Sequence, residues 1–207
     1  MTTPFDDALR ARLTANLGAL ERLALPLDGR RHAAVAVVAV NSDADGPAVL
    51  LTRRAVRLQA HAGQWALPGG RVEIGEGARA AARRELHEEI GLDLGADAEL
   101  GALDDYATRS GYVISPFVFW GGADPVLHPD PAEVRSIHRV SFRELCRPDS
   151  PRFMSIAESD RPVVQIPVGG DLVHAPTGAI LLQFRRVAIE GVIERVAHFE
   201  QPVFAWR

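Results

Sequence analysis

Apolar residues recur every three or four positions at Phe5, Leu9, Leu13, Leu17, Leu20 and Leu23, which predicts an N-terminal helix burying one stripe. Thr3 reads as its N-cap and Pro4 as its first turn, with Asp6 and Asp7 near the positive end of the helix dipole. Pro26 and Asp28-Gly29 end it. The next pattern differs in kind. His32 to Val40 is an unbroken run of alanine and β-branched residues, as expected of a strand covered on both faces. A turn-rich loop from Asn41 to Pro47 leads to a second strand, Ala48 to Arg54. Residues 55–64 show little periodicity. Gly69-Gly70 then punctuates the chain before a strong helical pattern, Glu76 to Ile90, closed by Gly91 as a C-cap.

Strand-like segments follow at Leu100 to Thr108 and Tyr112 to Trp120, then a loop rich in Gly, Pro and Asp to Pro131. Val134 to Val140 predicts another strand, and Ser141 with Glu144 a capping box for a short helix through Leu145. Val163 to Val168 and Leu172 to Ala175 read as a hairpin across Gly169-Gly170, and Thr177 as the cap of a last helix through Leu181, Phe184 and Ala188. Interleaved strands and helices without a repeat or linker imply an α/β fold, a sheet sandwiched between helices. Residues 1–30 form a helix and connector, joined to 31–207 as one domain with a C-terminal extension.

Composition narrows the classes. A 207-residue chain that is 47% hydrophobic and 24% charged has the makeup of a globular domain. A net charge of −4 argues against a broad nucleic-acid or membrane-surface binder. Cys146 is the only cysteine, so no internal disulfide forms. Asp6, Asp7 and Arg10 interrupt any signal-like apolar run, and no stretch is long enough to span a bilayer; a cytoplasmic location is expected. All 23 basic residues are arginine, so an arginine cluster here is weaker testimony to phosphate binding than elsewhere.

The chemistry sits on the second helix. At about 100° per residue, with Glu85 at zero, Glu89 falls at about +40° and Glu88 at about −60°. Leu86, Ile90 and Ala82 take a separate, core-facing side. Three like charges on one face repel, and a hard divalent cation removes the conflict because Mg²⁺ prefers carboxylate oxygen and also takes phosphate oxygens.

Counting from Gly70 gives five residues, Glu76, seven residues, then Arg84-Glu85-Leu86-His87-Glu88-Glu89-Ile90-Gly91-Leu92. This resembles the Nudix box, G-x5-E-x7-R-E-U-x-E-E-x-G-U with U aliphatic, at all nine specified positions over 23 residues. The resemblance implies an α/β/α sandwich with a mixed sheet, and hydrolysis of a nucleoside diphosphate linked to another moiety. It further implies Mg²⁺ or Mn²⁺ held by Glu85, Glu88, Glu89 and the Gly69 carbonyl. Arg84 would orient Glu85, and Glu76 would steady the loop–helix junction. A further carboxylate often lies six residues before a common late-strand tryptophan; Arg139 occupies that position here, which makes Glu133 the candidate.

The residues before the box narrow the substrate. Leu50-Leu51-Thr52-Arg53-Arg54-Ala55, His61-Ala62-Gly63-Gln64 and Leu67-Pro68-Gly69-Gly70 resemble the coenzyme A diphosphatase branch. Two positions depart from it: Gln59 replaces an Arg and Leu67 a Phe. Leu103 to Tyr112 and Pro116 also look like that branch. The implied substrate is coenzyme A or an acyl-CoA, whose 3′-phosphate makes Arg53, Arg54, Arg57 and Arg109 candidate contacts, with His61. ADP-ribose, NADH or a nucleoside triphosphate are the alternatives. No nucleic-acid or membrane partner is expected, and the N-terminal stripe suits either the core or a homodimer contact.

Overall fold

The computed structural model describes residues 3–42, 45–55 and 63–206. Its organising strand is β1 (Arg31–Ser42). One edge of β1 pairs in parallel with β7 (Tyr112–Trp120); the other pairs antiparallel with β2 (Gly46–Arg54) and β4 (Gly69–Arg71). β2 continues to β3 (Trp65–Ala66) and β8 (Val134–Ser141), and β7 to β5 (Glu99–Ala102) and β6 (Tyr106–Ala107).

Side-chain alternation along β1 sorts two layers. Ala34, Ala36, Val38 and Val40 meet Ala81, Ala82, Leu86 and Ile90 of α2 (Ala78–Ile90). Val37 and Ala39 face the other layer, made of α1 (Asp7–Gly18), α4 (Thr177–Phe184) and an antiparallel sheet of β9 (Arg152–Ile156), β10 (Ser159–Val168) and β11 (Asp171–His174). Burial on both sides explains why β1 lacks the polar alternation of an exposed strand. Helices cover both faces of a mixed sheet, as expected.

Several boundaries differ from expectation, each for a physical reason. α1 starts later, because the carboxylate of Asp6, not Thr3, accepts the Leu9 N–H at 2.9 Å. It ends at Gly18, so Leu9, Leu13, Leu17 and Leu20 are buried while Leu23 is exposed. Glu76 lies outside α2, its carboxylate engaged by Arg84. The segment Leu100 to Thr108 breaks into two short strands where Asp104 and Asp105 turn inward. Those carboxylates accept the N–H groups of Leu23 and Leu25 and pair with Arg195 and Arg22. Only half of the expected capping box forms: Ser141 accepts the Glu144 N–H, but the Glu144 carboxylate takes Arg147 and the Gly169 N–H. α3 (Phe142–Leu145) follows that cap. Thr177 is the first residue of α4, with Pro176 at the capping position, and α4 passes into a π-helical turn at Arg185–Ile189. β10 and β11 form the expected hairpin, whereas β9 was not foreseen. No helix among the described residues is long and apolar enough to cross a membrane.

Candidate active site

α2 carries its glutamates past the short strand β4, and contact is made at two glycines. A Cβ on Gly70 would fall inside the Glu85 carboxylate, and one on Gly69 would strike the Ala34 carbonyl and Val35. Gly69 also has φ +154°, a conformation that side chains resist. Gly70→Ala is therefore expected to leave a folded protein whose Glu85 is displaced, with kcat down by at least ~10-fold. Gly69→Ala meets backbone and should lower the melting temperature as well. Parallel activity and thermal-melt measurements separate the two; an active Gly70→Ala enzyme would mean that Glu85 need not lie against this glycine.

Glu89 is the most enclosed of the α2 glutamates, at 4% exposure. The Gly69 N–H points at its Oε2 from 3.4 Å, and Arg54 Nη1 lies 4.0 Å from Oε1. Burial outweighs these partners and pushes its pKa up to about 8. Burial also raises the Glu85 carboxyl, against the pull of Arg84. The negative charge of Glu133 raises both, which puts Glu133 within electrostatic reach of the pair.

Arg84 ties the rest together. Its guanidinium bonds Glu76 at 3.1 and 3.2 Å, Glu85 at 2.9 Å, Glu88 at 2.8 Å and the Arg71 carbonyl at 3.0 Å. The Glu88 side chain is more than half exposed and follows Arg84. Among the described residues, no three His, Cys, Asp or Glu side chains are already gathered around one point. The donors at hand nevertheless suit a hard divalent cation: two carboxylates with raised pKa values, a third next along the helix, and a backbone carbonyl at Gly69.

Beside this cluster opens a cavity of about 830 Å³, bordered by Arg54, Gly69 and Gly70. Its floor is the face of the main sheet turned away from α2. Its far wall comes from the C-terminal residues, including His174, Pro176, Phe204 and Trp206, in which the sequence offered no motif.

The candidate substrate contacts divide. Arg53 lines the cavity, but it stacks on Trp65 at 4.1 Å and forms an ion pair with Asp171. Arg54 lines the cavity close to Glu89, and its buried Nε has no hydrogen-bond partner among the described residues. Arg57 and His61, with the Gln59 departure, lie outside the described residues.

Arg109 is not brought to the cavity wall. It pairs with buried Glu200 at 2.5 Å and lies over the Trp206 ring, pinning the C-terminal segment. The Arg109 guanidinium holds the Glu200 carboxyl down at about 2. Because that pKa is depressed, the stabilisation is present above about pH 4.5 and lost as pH falls toward 2. Arg109→Ala should then cost about 1–3 kcal/mol at pH 7, with the gap in melting temperature narrowing over that acid window. Unchanged melting would show that the pair carries no weight.

Sequence reasoning missed Arg31 and Arg71, which line the cavity, and read Ser110-Gly111-Tyr112 as a tight hairpin ahead of a substrate contact, although Ser110 and Tyr112 line it too. A signal was present: Arg31, Ala33 and Val35 alternate on β1 and so share one face.

A Nudix domain model matches residues 30–163. The chain belongs to the Nudix family, hydrolases that act on pyrophosphate bonds. It is 34% identical over 131 residues to the Uncharacterized Nudix hydrolase NudL of Photorhabdus laumondii, a match covering 63% of this chain and 69% of that one. A protein of the same name from Citrobacter koseri is 36% identical over 121 residues, 57% of this chain and 61% of the relative. In fold, the chain is similar to a MutT/nudix family protein from Enterococcus faecalis, with a TM-score of 0.59 at 20% identity over 80% of this chain and 63% of that one. It is also similar to the Nudix hydrolase RenU of M. smegmatis, with a TM-score of 0.52 at 19% identity over 81% and 91%.

Proposed function

We propose that this chain hydrolyses the diphosphate of coenzyme A or an acyl-CoA, giving 4′-phosphopantetheine or its acyl form and adenosine 3′,5′-bisphosphate. The observation that carries the reading is that the segment resembling the coenzyme A branch borders the large cavity and includes the glycines against which Glu85 and Glu89 lie. Arg53, Arg54, Gly63, Gln64, Gly69 and Gly70 all line it.

Glu85, Glu88 and Glu89 with the Gly69 carbonyl, and Glu133 nearby, would hold Mg²⁺ or Mn²⁺. When bound, such an ion screens the diphosphate, polarises the attacked phosphorus and lowers the pKa of a coordinated water. The chain's own residues do the positioning. Arg84, clamped by Glu76, holds Glu85 in place. Arg54 lines the cavity 4.0 Å from Glu89, where it would be a better partner for the scissile group than for a distant 3′-phosphate.

The test is a substrate panel with product identification: coenzyme A, acetyl-CoA, ADP-ribose, NADH and a nucleoside triphosphate. Coenzyme A or its thioester should give the highest kcat/KM, with both named products. Faster cleavage of ADP-ribose or NADH would mean that Gln59, standing where that branch has Arg, marks another specificity.

A further inference from the structure

The far end of the cavity floor holds three side chains that the reaction described above does not use. Register places them together. On β1, Val35 pairs with Gly69 and Ala33 with Arg71 across the β4 edge, while Arg31 pairs with Tyr112 across the β7 edge. Arg31, Ala33, Val35, Gly69, Arg71 and Tyr112 therefore present to one face of the sheet, and all line the cavity. Four residues of β1 separate the level of Gly69 from that of Arg31, roughly 13 Å at about 3.3 Å per residue.

The Arg31 guanidinium lies 4.0 Å from the centroid of the Tyr112 ring, and Arg71 donates from Nε to the Tyr112 hydroxyl at 3.0 Å. Arg31 also donates to the Ser110 carbonyl at 3.2 Å. Neither arginine is ion-paired with a carboxylate among the described residues. The two other arginines of the cavity are, Arg53 with Asp171 and Arg54 with Glu89. Scarcity of lysine explains why these residues are arginine. It does not explain why two of them converge on one tyrosine without a counter-charge. Like charges held together are relieved by a bound ion of opposite sign, and a guanidinium is well matched to phosphate.

We infer that Arg31, Arg71 and Tyr112 form a second anion subsite, which takes a phosphate monoester of the substrate on the opposite side of the cavity floor from the glutamates. The inference rests on the proposed reading of the site and deepens it: in coenzyme A the group is the 3′-phosphate. Arg31 supplies charge above the ring, Arg71 supplies charge beside the hydroxyl, and Tyr112 positions both. The small side chain of Ala33 leaves the floor open between this subsite and Gly69.

Two measurements on the wild type, Arg31→Gln, Arg71→Gln and the double variant test this. The first is the ratio of kcat/KM for coenzyme A over 3′-dephospho-coenzyme A. The second, which needs no turnover, is calorimetric binding of adenosine 3′,5′-bisphosphate, AMP and inorganic phosphate. Wild type should prefer the 3′-phosphorylated member of each pair by at least ~10-fold, and the double variant should bring both ratios close to one. Both arginines are exposed, so folding should persist; matched melting temperatures check this, and the single variants carry the test if the double variant is unstable.

A wild type that does not distinguish the bisphosphate from AMP overturns the subsite. So does a preference that survives in the double variant, since the phosphate is then read elsewhere. Inorganic phosphate binding as tightly as the bisphosphate also overturns it, because the site would then serve free phosphate. If neither coenzyme A substrate is cleaved but the bisphosphate preference is present and lost with the arginines, the proposed substrate falls and the subsite stands.

Discussion

Chelation with excess EDTA is expected to lower hydrolysis by at least ~1000-fold, and added Mg²⁺ or Mn²⁺ to restore it. The ground is electrostatic. Glu85 and Glu89 are both raised in pKa by burial, and each is raised further by the other glutamates, Glu133 included. The cations nearest them do not resolve the conflict. Arg84 is shared among Glu76, Glu85 and Glu88, and Arg54 stands 4.0 Å from Glu89. A divalent ion would satisfy the pair directly and draw Glu88 from Arg84. Its effect should also be visible without substrate: metal should raise the melting temperature of the wild type at pH 7–8, climbing with the logarithm of its concentration once that exceeds Kd. Undiminished turnover in EDTA, with metal absence confirmed analytically, would sink the mechanism.

How much of this was legible beforehand depended on whether the signal was local. The glutamate helix was, because spacing on one helix fixes which residues share a face, and Gly91 caps it at φ +72° as expected. Glu89 carried a surprise even so: the wheel grouped it with Glu85, but at about +40° it also borders Ala82 and Leu86, and it is buried with them. β1 was readable from its unbroken apolar run. The cavity was not, since its parts come from residues near 31, 71, 112, 174 and 204, joined only by strand register and the C-terminal fold. β9 hid for a different reason. Its residues are largely exposed, so Arg152 to Ile156 show no alternation to read. The role of Arg109 was obscured by composition, because where every cation is arginine, a phosphate ligand and a structural clamp look alike. Only its buried partner Glu200, 91 residues away, tells them apart.

Glu89→Gln gives the sharpest separation of catalytic from structural roles. The substitution keeps size and helix propensity and removes an ionisable oxygen, and kcat is expected to fall by at least ~100-fold. Stability should move the other way in metal-free protein. The wild-type carboxyl is raised from an ordinary 4.5 to about 8, so the folded state favours its protonated form. As pH climbs from about 4.5 toward 8 the unfolded chain releases that proton and the folded chain does not, and wild type loses stability over that window. Glutamine has nothing to ionise. The variant's melting temperature should therefore overtake that of the wild type between those limits, and the gap should level off above pH 8. Adding Mg²⁺ should reverse the order by stabilising wild type alone. Near-native turnover would remove Glu89 from the site. A variant that melts below wild type at every pH, with or without metal, would mean that the carboxylate serves mainly to hold the Gly69 N–H, and the assignment of Glu89 to the metal should be dropped.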